Sequence, residues 1–377
     1  MSFTAPILRG KTLAEPAVLG HFLPWFIGGK PGSSGLLPEE AKGLTLPVLE
    51  PWRHWRDARS QYRRTHQYEP IGGEYDSRDP EVIHRQITTA MDYGLDGFIV
   101  NLYGKNSVEN VIGLQFLREL RKYNEAHPDR PFVYVISFDA QAQWPSEGKT
   151  PVSMEEDFAY LKDVWCQEAC LRRDGKFPFL VFAYDRPCQD YRAAMTKVFG
   201  ADGFDLLWLN NPTEQAMDAG YPWVRPMQVE PDHRWFSPDD SGEQYIRDFY
   251  SKCNQNPKVK YLCGGVWPGF NDQFVRWAWS GNQDDPRIRP RVICRETSKG
   301  STLELTWQAA AEYILRHRAG DPSAGLPMPM IQIVTWNDWA ESTQVEPCRD
   351  LGHHDLEVCK RYSDLLKSIR GKESSAI

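Results

Sequence analysis

A strand signal followed by a helix signal recurs eight times along this chain of 377 residues. Each strand candidate is rich in β-branched and aromatic residues, and several are apolar without interruption, as expected for strands covered on both faces. The sixth candidate is the weakest, because it contains proline. The eight candidates span residues 18–26, 95–103, 131–139, 177–185, 204–211, 222–230, 259–267 and 330–338.

Helix signals fill the segments between these strands. Asp79 and Pro80 form an N-cap and first-turn pair, and Ser153 and Ser301 each begin a capping-box pattern with a glutamate three residues later. Further helices are predicted over 107–127, 188–199, 212–219, 241–254 and 354–370. Eight β-then-α units predict an α/β fold, a single (β/α)8 TIM barrel with long loops after strands 1 and 7. A doubly wound sheet is the alternative, but no glycine-rich phosphate turn follows the first strand.

Composition argues against several other classes of protein. Hydrophobic residues make up 41% of the chain, yet no apolar run approaches the roughly 18 residues that cross a membrane. The net charge of −7, with no basic stripe, argues against a nucleic-acid partner. The eight cysteines include no C-x-x-C pair, so we expect mostly reduced thiols, no metal and no cofactor.

The chain is expected to form one catalytic domain over residues 1–377, with an N-terminal extension at 1–16 and a disordered tail at 371–377. The first twenty residues lack an apolar stretch of signal-peptide length. We therefore expect a cytoplasmic protein if Met1 is the native start, and a secreted or periplasmic one if an export signal has been removed. The oligomeric state stays open.

Polar and aromatic side chains end the predicted strands, where the chemistry of (β/α)8 barrels takes place. These ends carry amides, acids and aromatic rings but no lysine, a mixture that suits a polyol ligand. Any one of them could be an ordinary loop residue, whereas the set favours a sugar site. The predicted substrate-binding residues at strand ends are Trp25, Asn101, Tyr103, Asp139, Tyr184, Asn210, Glu230, Trp267 and Asn337.

Asp338 and Glu341 form the candidate catalytic pair. They lie three residues apart after the eighth predicted strand, beside Trp336 and Trp339. A helical turn at this point would place their Cβ atoms roughly 5–6 Å apart. Carboxyls about 5–5.5 Å apart suit glycoside hydrolysis with retention, and about 6.5–9.5 Å apart suit inversion. Two neighbouring carboxylates cannot both ionise freely, so the pKa of one should rise.

The segment TWNDWAESTQVEP, residues 335–347, resembles the last-strand motif of glycoside hydrolase family 99, the endo-α-mannosidases, which reads roughly N-E-W-H-E-G-T-Q-I-E. It is also similar to the W-N-D-Y-G-E-S motif of family 71, the fungal α-1,3-glucanases. GHFLPWF at 20–26 resembles the first-strand F-Y-Y-P-W-Y of family 99, and residues 70–104 resemble its Y-D-S turn, helix and following strand. The resemblance covers roughly residues 17 to 347.

This resemblance implies that Asp338 and Glu341 are the catalytic carboxylates. In family 99 the first assists the substrate's 2-hydroxyl in attacking C1, and the second is the acid/base. Ala340 stands where family 99 has histidine, and Phe22 and Leu23 where it has tyrosines, while Asp338 matches family 71. Since family 71 is regarded as inverting, stereochemistry and sugar identity stay open. The resembling motifs add His21, Tyr75, Asp76, Trp336 and Glu346 to the predicted substrate-binding residues.

We therefore predict a glycoside hydrolase that cleaves an α-linked oligo- or polysaccharide of mannan or glucan type. The apolar neighbours of Glu341 favour it as the general acid, and the amide of Asn337 is expected to keep Asp338 ionised as the base. Glu346 either binds substrate or pairs with Arg349. A metal-dependent hydrolase is one alternative, although the chain has no H-x-H or H-E-x-x-H pattern. A barrel that binds glycan without catalysis is the other.

Overall fold

A computed structural model of the chain describes residues 16–29, 34–56, 65–140, 152–183, 185–225, 236–237, 239–273, 291–319, 321 and 325–368. Eight parallel strands form a closed barrel in which each strand pairs with its neighbours in sequence and the last pairs with the first. The predicted (β/α)8 barrel is confirmed. The strands are β1 (Ala17–Phe22), β2 (Gly97–Leu102), β3 (Val133–Asp139), β4 (Phe177–Phe182), β5 (Phe204–Leu209), β6 (Ala219–Tyr221), β7 (Tyr261–Val266) and β8 (Met330–Ile333).

Helices follow most of the strands and pack around the barrel. Asp79 caps the first of them through the backbone N–H of Glu81, and Ser153 and Glu156 form the predicted capping box. The capping box predicted at Ser301 is wrong, because its side chain makes no cap bond. The helices are α1 (Pro80–Asp92), α2 (Val108–Ala126), α3 (Met154–Tyr160), α4 (Cys188–Phe199), α5 (Glu243–Asn254), α6 (Thr302–Arg318) and α7 (His354–Ser368), with a helical turn at Pro38–Ala41 and a π-helical turn at Leu161–Trp165.

The sixth unit differs from the prediction. Residues 212–219, predicted as a helix, form turns that lead directly into β6, and residues 222–225 of the predicted strand lie beyond it. The side chains of Asn211 and Glu214 accept the backbone N–H groups of Thr213 and Ala216, at 3.2 and 3.0 Å. Such local bonds compete with helical ones. The hydrophobic pattern was therefore correct about a strand but wrong about its position and about the preceding helix.

Side chains on the strands alternate between the barrel interior and the helical layer. Leu19 and Ile99 lie in an interior cluster, while Val18 and Phe98 belong to a larger cluster between strands and helices. The next inward position of β1, after Leu19, is occupied by His21. The interior thus changes from apolar to polar toward the carboxyl ends of the strands, and this change positions the candidate site.

All eight cysteines are free thiols. Within the part of the chain that the structure describes, none of the helices combines the length and the apolar character needed to cross a bilayer. The predicted N-terminal extension and C-terminal tail lie outside the described residues, apart from Pro16.

Candidate active site

The candidate acid pair lies on a closed turn beyond β8, residues 335–345, called here the acid turn. The backbone N–H of Thr335 donates to the carbonyl of Thr343 at 2.9 Å, and that of Val345 donates to the carbonyl of Thr335 at 3.0 Å. The hydroxyls of the two threonines are 3.0 Å apart. These bonds close a loop around Asp338 and Glu341, in which residues 339–342 form a turn and not a helix.

Asp338 is the deeper member of the pair, with 3% of its surface exposed, whereas Glu341 is partly exposed. The backbone N–H of Asp338 donates to the hydroxyl of Thr335 at 2.7 Å, and its Oδ1 accepts the backbone N–H of Glu341 at 3.0 Å. Burial raises the pKa of Asp338 well above its ordinary value, and the charge of Glu341 raises it further. The charge of Glu341 therefore disfavours ionisation of Asp338 and adds to the effect of burial.

A polar floor lies at the carboxyl ends of β1, β2 and β3. The ring Nε2 of His21 lies 3.3 Å from the amide oxygen of Asn101, whose Nδ2 donates to Asp139 at 3.4 Å. Burial lowers the pKa of His21 to about 4, so its ring is neutral near pH 7. Burial, followed by the charges of Asp139, Glu109 and the acid pair, raises the pKa of Tyr103. Tyr103 therefore lies within electrostatic reach of both the floor and the acid pair.

Aromatic rings border this floor. The indole of Trp25 stacks on His54 with centroids 4.3 Å apart, and it shares a buried cluster with Tyr75 and Trp339. Trp223 lies edge-on to His21 at 4.7 Å. Aromatic rings and a few convergent polar groups together are typical of small-molecule sites.

Glu346 is the centre of a buried hydrogen-bond network beside the acid turn. Its Oε2 accepts the hydroxyl of Tyr75 at 2.7 Å and the indole N–H of Trp339 at 3.1 Å, and its Oε1 accepts from Gln86 at 2.8 Å. Burial raises the pKa of Glu346, although these three bonds oppose the shift. Arg349 pairs instead with Glu69, at 3.3 Å. Glu346 therefore supports Trp339, which lies between the two candidate catalytic acids.

Asn337 joins the acid turn to the end of β1. Its Oδ1 accepts the backbone N–H of Leu23 at 2.8 Å, and its Nδ2 donates to the Leu23 carbonyl at 3.0 Å. The same Nδ2 lies 3.4 Å from the hydroxyl of Tyr75. The expectation that this amide holds Asp338 ionised is therefore wrong. The amide binds Leu23, and Asp338 accepts its hydrogen bond from the backbone N–H of Glu341.

Two further predicted residues bind the protein's own backbone. Asp76 accepts the backbone N–H of Gly28 at 3.1 Å and forms an ion pair with Arg78. Asn210 has a left-handed backbone, with φ of 51°, and its Oδ1 accepts the backbone N–H of Trp223 at 2.6 Å. Both side chains shape loops at the barrel mouth.

Trp267 and Trp336 lie in the core and not in the cleft, contrary to the prediction. Trp336 is fully buried in the outer cluster, with its ring 5.1 Å from that of Phe98. The indole N–H of the fully buried Trp267 donates to the carbonyl of Ser241 at 2.9 Å. Its ring fills the space over Gly242, where a Cβ would lie 2.7 Å from it. Tyr184 and Glu230 lie outside the described residues.

The sequence analysis missed Trp223, Gln86 and Gln332 as members of the site. Gln332 is fully buried and donates to the carbonyl of Pro222. It is the one polar residue in the apolar run MIQIV at an inward position, so the two-residue period of the strand was a usable signal. In the described ranges, no group of three or more His, Cys, Asp or Glu residues has the arrangement of a metal site.

No protein-family model matches the chain. The uncharacterized protein WxcX of Xanthomonas campestris pv. campestris (strain B100) is 25% identical, over 77% of this chain and 42% of that protein. The chain thus spans about two fifths of the length of the curated relative it matches.

Solved structures share the barrel. The family 99 endo-α-mannosidase from Bacteroides thetaiotaomicron, in complex with Bis-Tris propane, superimposes with a TM-score of 0.59 at 19% identity, over 94% of this chain and 98% of that one. A glycoside hydrolase-like protein gives a TM-score of 0.57 at 12% identity, over 96% and 97% of the two chains. Identities this low show the fold alone. The predicted resemblance is confirmed at that level: the chain folds as a family 99-like (β/α)8 barrel.

Proposed function

We propose that this protein is a glycoside hydrolase that cleaves an α-linked oligo- or polysaccharide of mannan or glucan type, with Asp338 and Glu341 as its catalytic carboxylates. The acid turn carries the proposal. It holds two neighbouring carboxyls, one nearly fully buried and one partly exposed, beyond the carboxyl end of β8. Acids with raised pKa values at the carboxyl ends of barrel strands are typical of catalytic sites.

Asp338 has the properties of a general base. Burial and the charge of Glu341 raise the pKa of Asp338, so its carboxylate accepts a proton more readily than that of an exposed aspartate. In the reaction, the Asp338 carboxylate removes a proton from the attacking hydroxyl. That hydroxyl is the sugar's own 2-hydroxyl if the enzyme retains configuration, or a water molecule if it inverts.

Glu341 then acts as the general acid. Its partly exposed position suits a group that meets the glycosidic oxygen of the leaving sugar. It donates its proton to that oxygen as the bond to C1 breaks, so the leaving sugar departs as a neutral alcohol. In a retaining reaction the same group, now ionised, removes a proton from the water that opens the intermediate at C1.

The polar floor is proposed to bind the sugar ring. Tyr103, Asn101 and Asp139 offer a hydroxyl, an amide and a carboxylate within one small region, and the neutral ring of His21 backs them. Trp223, partly exposed beside His21, offers an apolar face for ring carbons. Such groups recognise hydroxyls by hydrogen bonds and ring C–H groups by stacking.

A panel of glycans tests this function. Purified protein is incubated with α-mannans, α-glucans, and branched and sulfated glycans, and reducing ends and released oligosaccharides are measured. Hydrolysis of an α-linked glycan is expected, with loss of activity in Asp338→Asn and Glu341→Gln. Glu357→Gln, an exposed acid on α7, is the control and should keep full activity. Glycan binding without turnover would favour a non-catalytic barrel, and loss of hydrolysis on chelation would favour the metal-dependent alternative.

A further inference from the structure

A largely buried arginine contacts the acid turn from a distant part of the chain. Arg295 lies shortly before α6 and forms an ion pair with Asp355 in the first turn of α7, and each side chain is 14% exposed. The guanidinium also lies 4.9 Å from the ring centroid of Tyr68. The backbone carbonyl of Arg295 accepts the N–H of Thr302 at 2.8 Å. Arg295 is thus held by contacts with three separate segments outside the acid turn, at Asp355, Tyr68 and Thr302.

The same guanidinium binds the acid turn itself. Its Nη2 donates to the carbonyl oxygens of Ser342 and Gln344, at 3.1 and 2.9 Å. These two carbonyls lie on either side of Thr343, whose backbone closes the turn. The arginine therefore fixes two peptide groups directly after Glu341.

The backbone at this point needs such support. Ser342 has a φ of 57°, in the left-handed region that residues other than glycine adopt only when their surroundings impose it. On the other side, the carbonyl of Glu341 accepts the backbone N–H of Asn271 at 2.8 Å. Contacts from outside the acid turn thus hold the chain between Glu341 and Gln344, in addition to the bonds that Thr343 makes within the turn.

We propose that Arg295 is a positioning residue of the enzyme, which sets the separation between the carboxyls of Glu341 and Asp338 by holding the carbonyls of Ser342 and Gln344. This inference rests on the proposed hydrolase function. Lysine cannot replace the arginine, because one ammonium is a point charge without the planar fork that serves Asp355 and two carbonyls together.

The test compares Arg295→Lys with a matched control, Arg173→Lys. Arg173 pairs at 3.5 Å with the buried Asp205 and lies 4.1 Å from the ring centroid of Tyr261, near the amino ends of β5 and β7. Both variants keep the charge and disturb a partly buried ion pair, but only one pair touches the acid turn. The measurements are kcat, KM, the pH dependence of kcat/KM, and Tm.

Arg295→Lys is expected to lower kcat by about 10-fold to 100-fold, the scale of a small misplacement of catalytic groups, with little change in KM. If Glu341 moves away, its charge raises the pKa of Asp338 less, so the acidic limb of the pH profile should move to lower pH. Arg173→Lys should lower Tm without either effect. Asp355→Asn removes the ion pair but keeps the arginine, so it should move the acidic limb in the same direction by a smaller amount. This variant replaces Arg295→Lys in the test if Arg295→Lys does not fold.

Unchanged kcat and an unchanged acidic limb in a folded Arg295→Lys variant would show that the arginine is only structural. A second readout works without turnover. In protein labelled with 13C at the Asp carboxyls, the Asp338 signal is assigned by its loss in Asp338→Asn, and its titration is compared with and without Arg295→Lys. A lower pKa in the variant supports the positioning role even if no glycan is hydrolysed, and an unchanged titration overturns it. Failure of wild-type hydrolysis on the whole panel counts against the proposed function alone.

Discussion

Asp338→Asn is expected to raise the free energy of unfolding at neutral pH while it removes activity. Burial and the charge of Glu341 raise the pKa of Asp338 in the folded protein above the ordinary 3.8. The stability that the protonated carboxyl contributes is complete below the unfolded pKa and is lost as pH rises through the folded pKa. At neutral pH the carboxyl of Asp338 therefore contributes less stability than it does at acid pH, whereas a neutral amide has no such pH dependence.

The magnitude follows from the repulsion within the pair. Two carboxylates about 5–9 Å apart, the span that glycosidases use, repel each other by about 2–3 kcal/mol at an effective dielectric constant near 20. Solvent screens part of this repulsion, because Glu341 is partly exposed. The amide oxygen of asparagine can still accept the backbone N–H that Asp338 accepts from Glu341. We therefore expect a gain of about 1–2 kcal/mol at pH 8 and a smaller one at pH 5.

Urea unfolding of wild type and variant at pH 5, 6.5 and 8 measures this gain. The control is Asp272→Asn. Asp272 is fully buried but pairs with Arg291 at 2.6 Å, so its replacement leaves a cation without its partner and should destabilise the protein at each pH. An Asp338→Asn variant that is less stable than wild type at pH 8, or equally shifted at pH 5 and pH 8, would refute the reasoning.

Three other substitutions separate site residues from core residues. Trp25→Phe should raise KM several-fold with a small loss of Tm, because Trp25 stacks on His54 beside the proposed site; unchanged kinetics would contradict this. Trp267→Phe should lower the free energy of unfolding by about 2–3 kcal/mol and leave kinetics unchanged, because a packed indole and its hydrogen bond are lost; a changed KM would place it in the cleft. Glu346→Gln should lower the free energy of unfolding by about 1–3 kcal/mol, because the amide N–H of glutamine would face hydrogen-bond donors where the carboxylate accepts. It should also lower kcat more than it raises KM; a rise in KM alone would instead indicate direct substrate binding.

The barrel was predictable because its strand and helix signals are local. Each strand is a short apolar run, and features such as Asp79 and Ser153 mark helix starts that the structure confirms. The error in the sixth unit also has a local cause. Asn211 and Glu214 bind nearby backbone N–H groups in the structure, whereas the residue pattern over 212–219 looked helical.

The position of Asp338 and Glu341 beyond β8 was predictable because both residues lie in one short motif at a strand end. The sequence does not predict whether a side chain beyond the end of a strand points into the barrel or out to the helices, because the two-residue alternation ends with the strand. Trp336, for example, packs in the outer core. Contacts between distant segments leave no local signal either. Asn337 binds Leu23, 314 positions away, and Arg295 binds the turn that carries Glu341.

The most direct test of the central claim is the dependence of rate on the leaving group in variants of the acid pair. Glu341→Gln should lose about 100-fold to 10,000-fold on natural α-linked glycans, the usual contribution of a general acid, and far less on activated aryl glycosides, which leave without a proton. Asp338→Asn should be crippled on both, because the attacking hydroxyl needs a base whichever group departs. Equal behaviour of the two variants on aryl glycosides, or full activity of Glu341→Gln on natural glycans, would contradict the account.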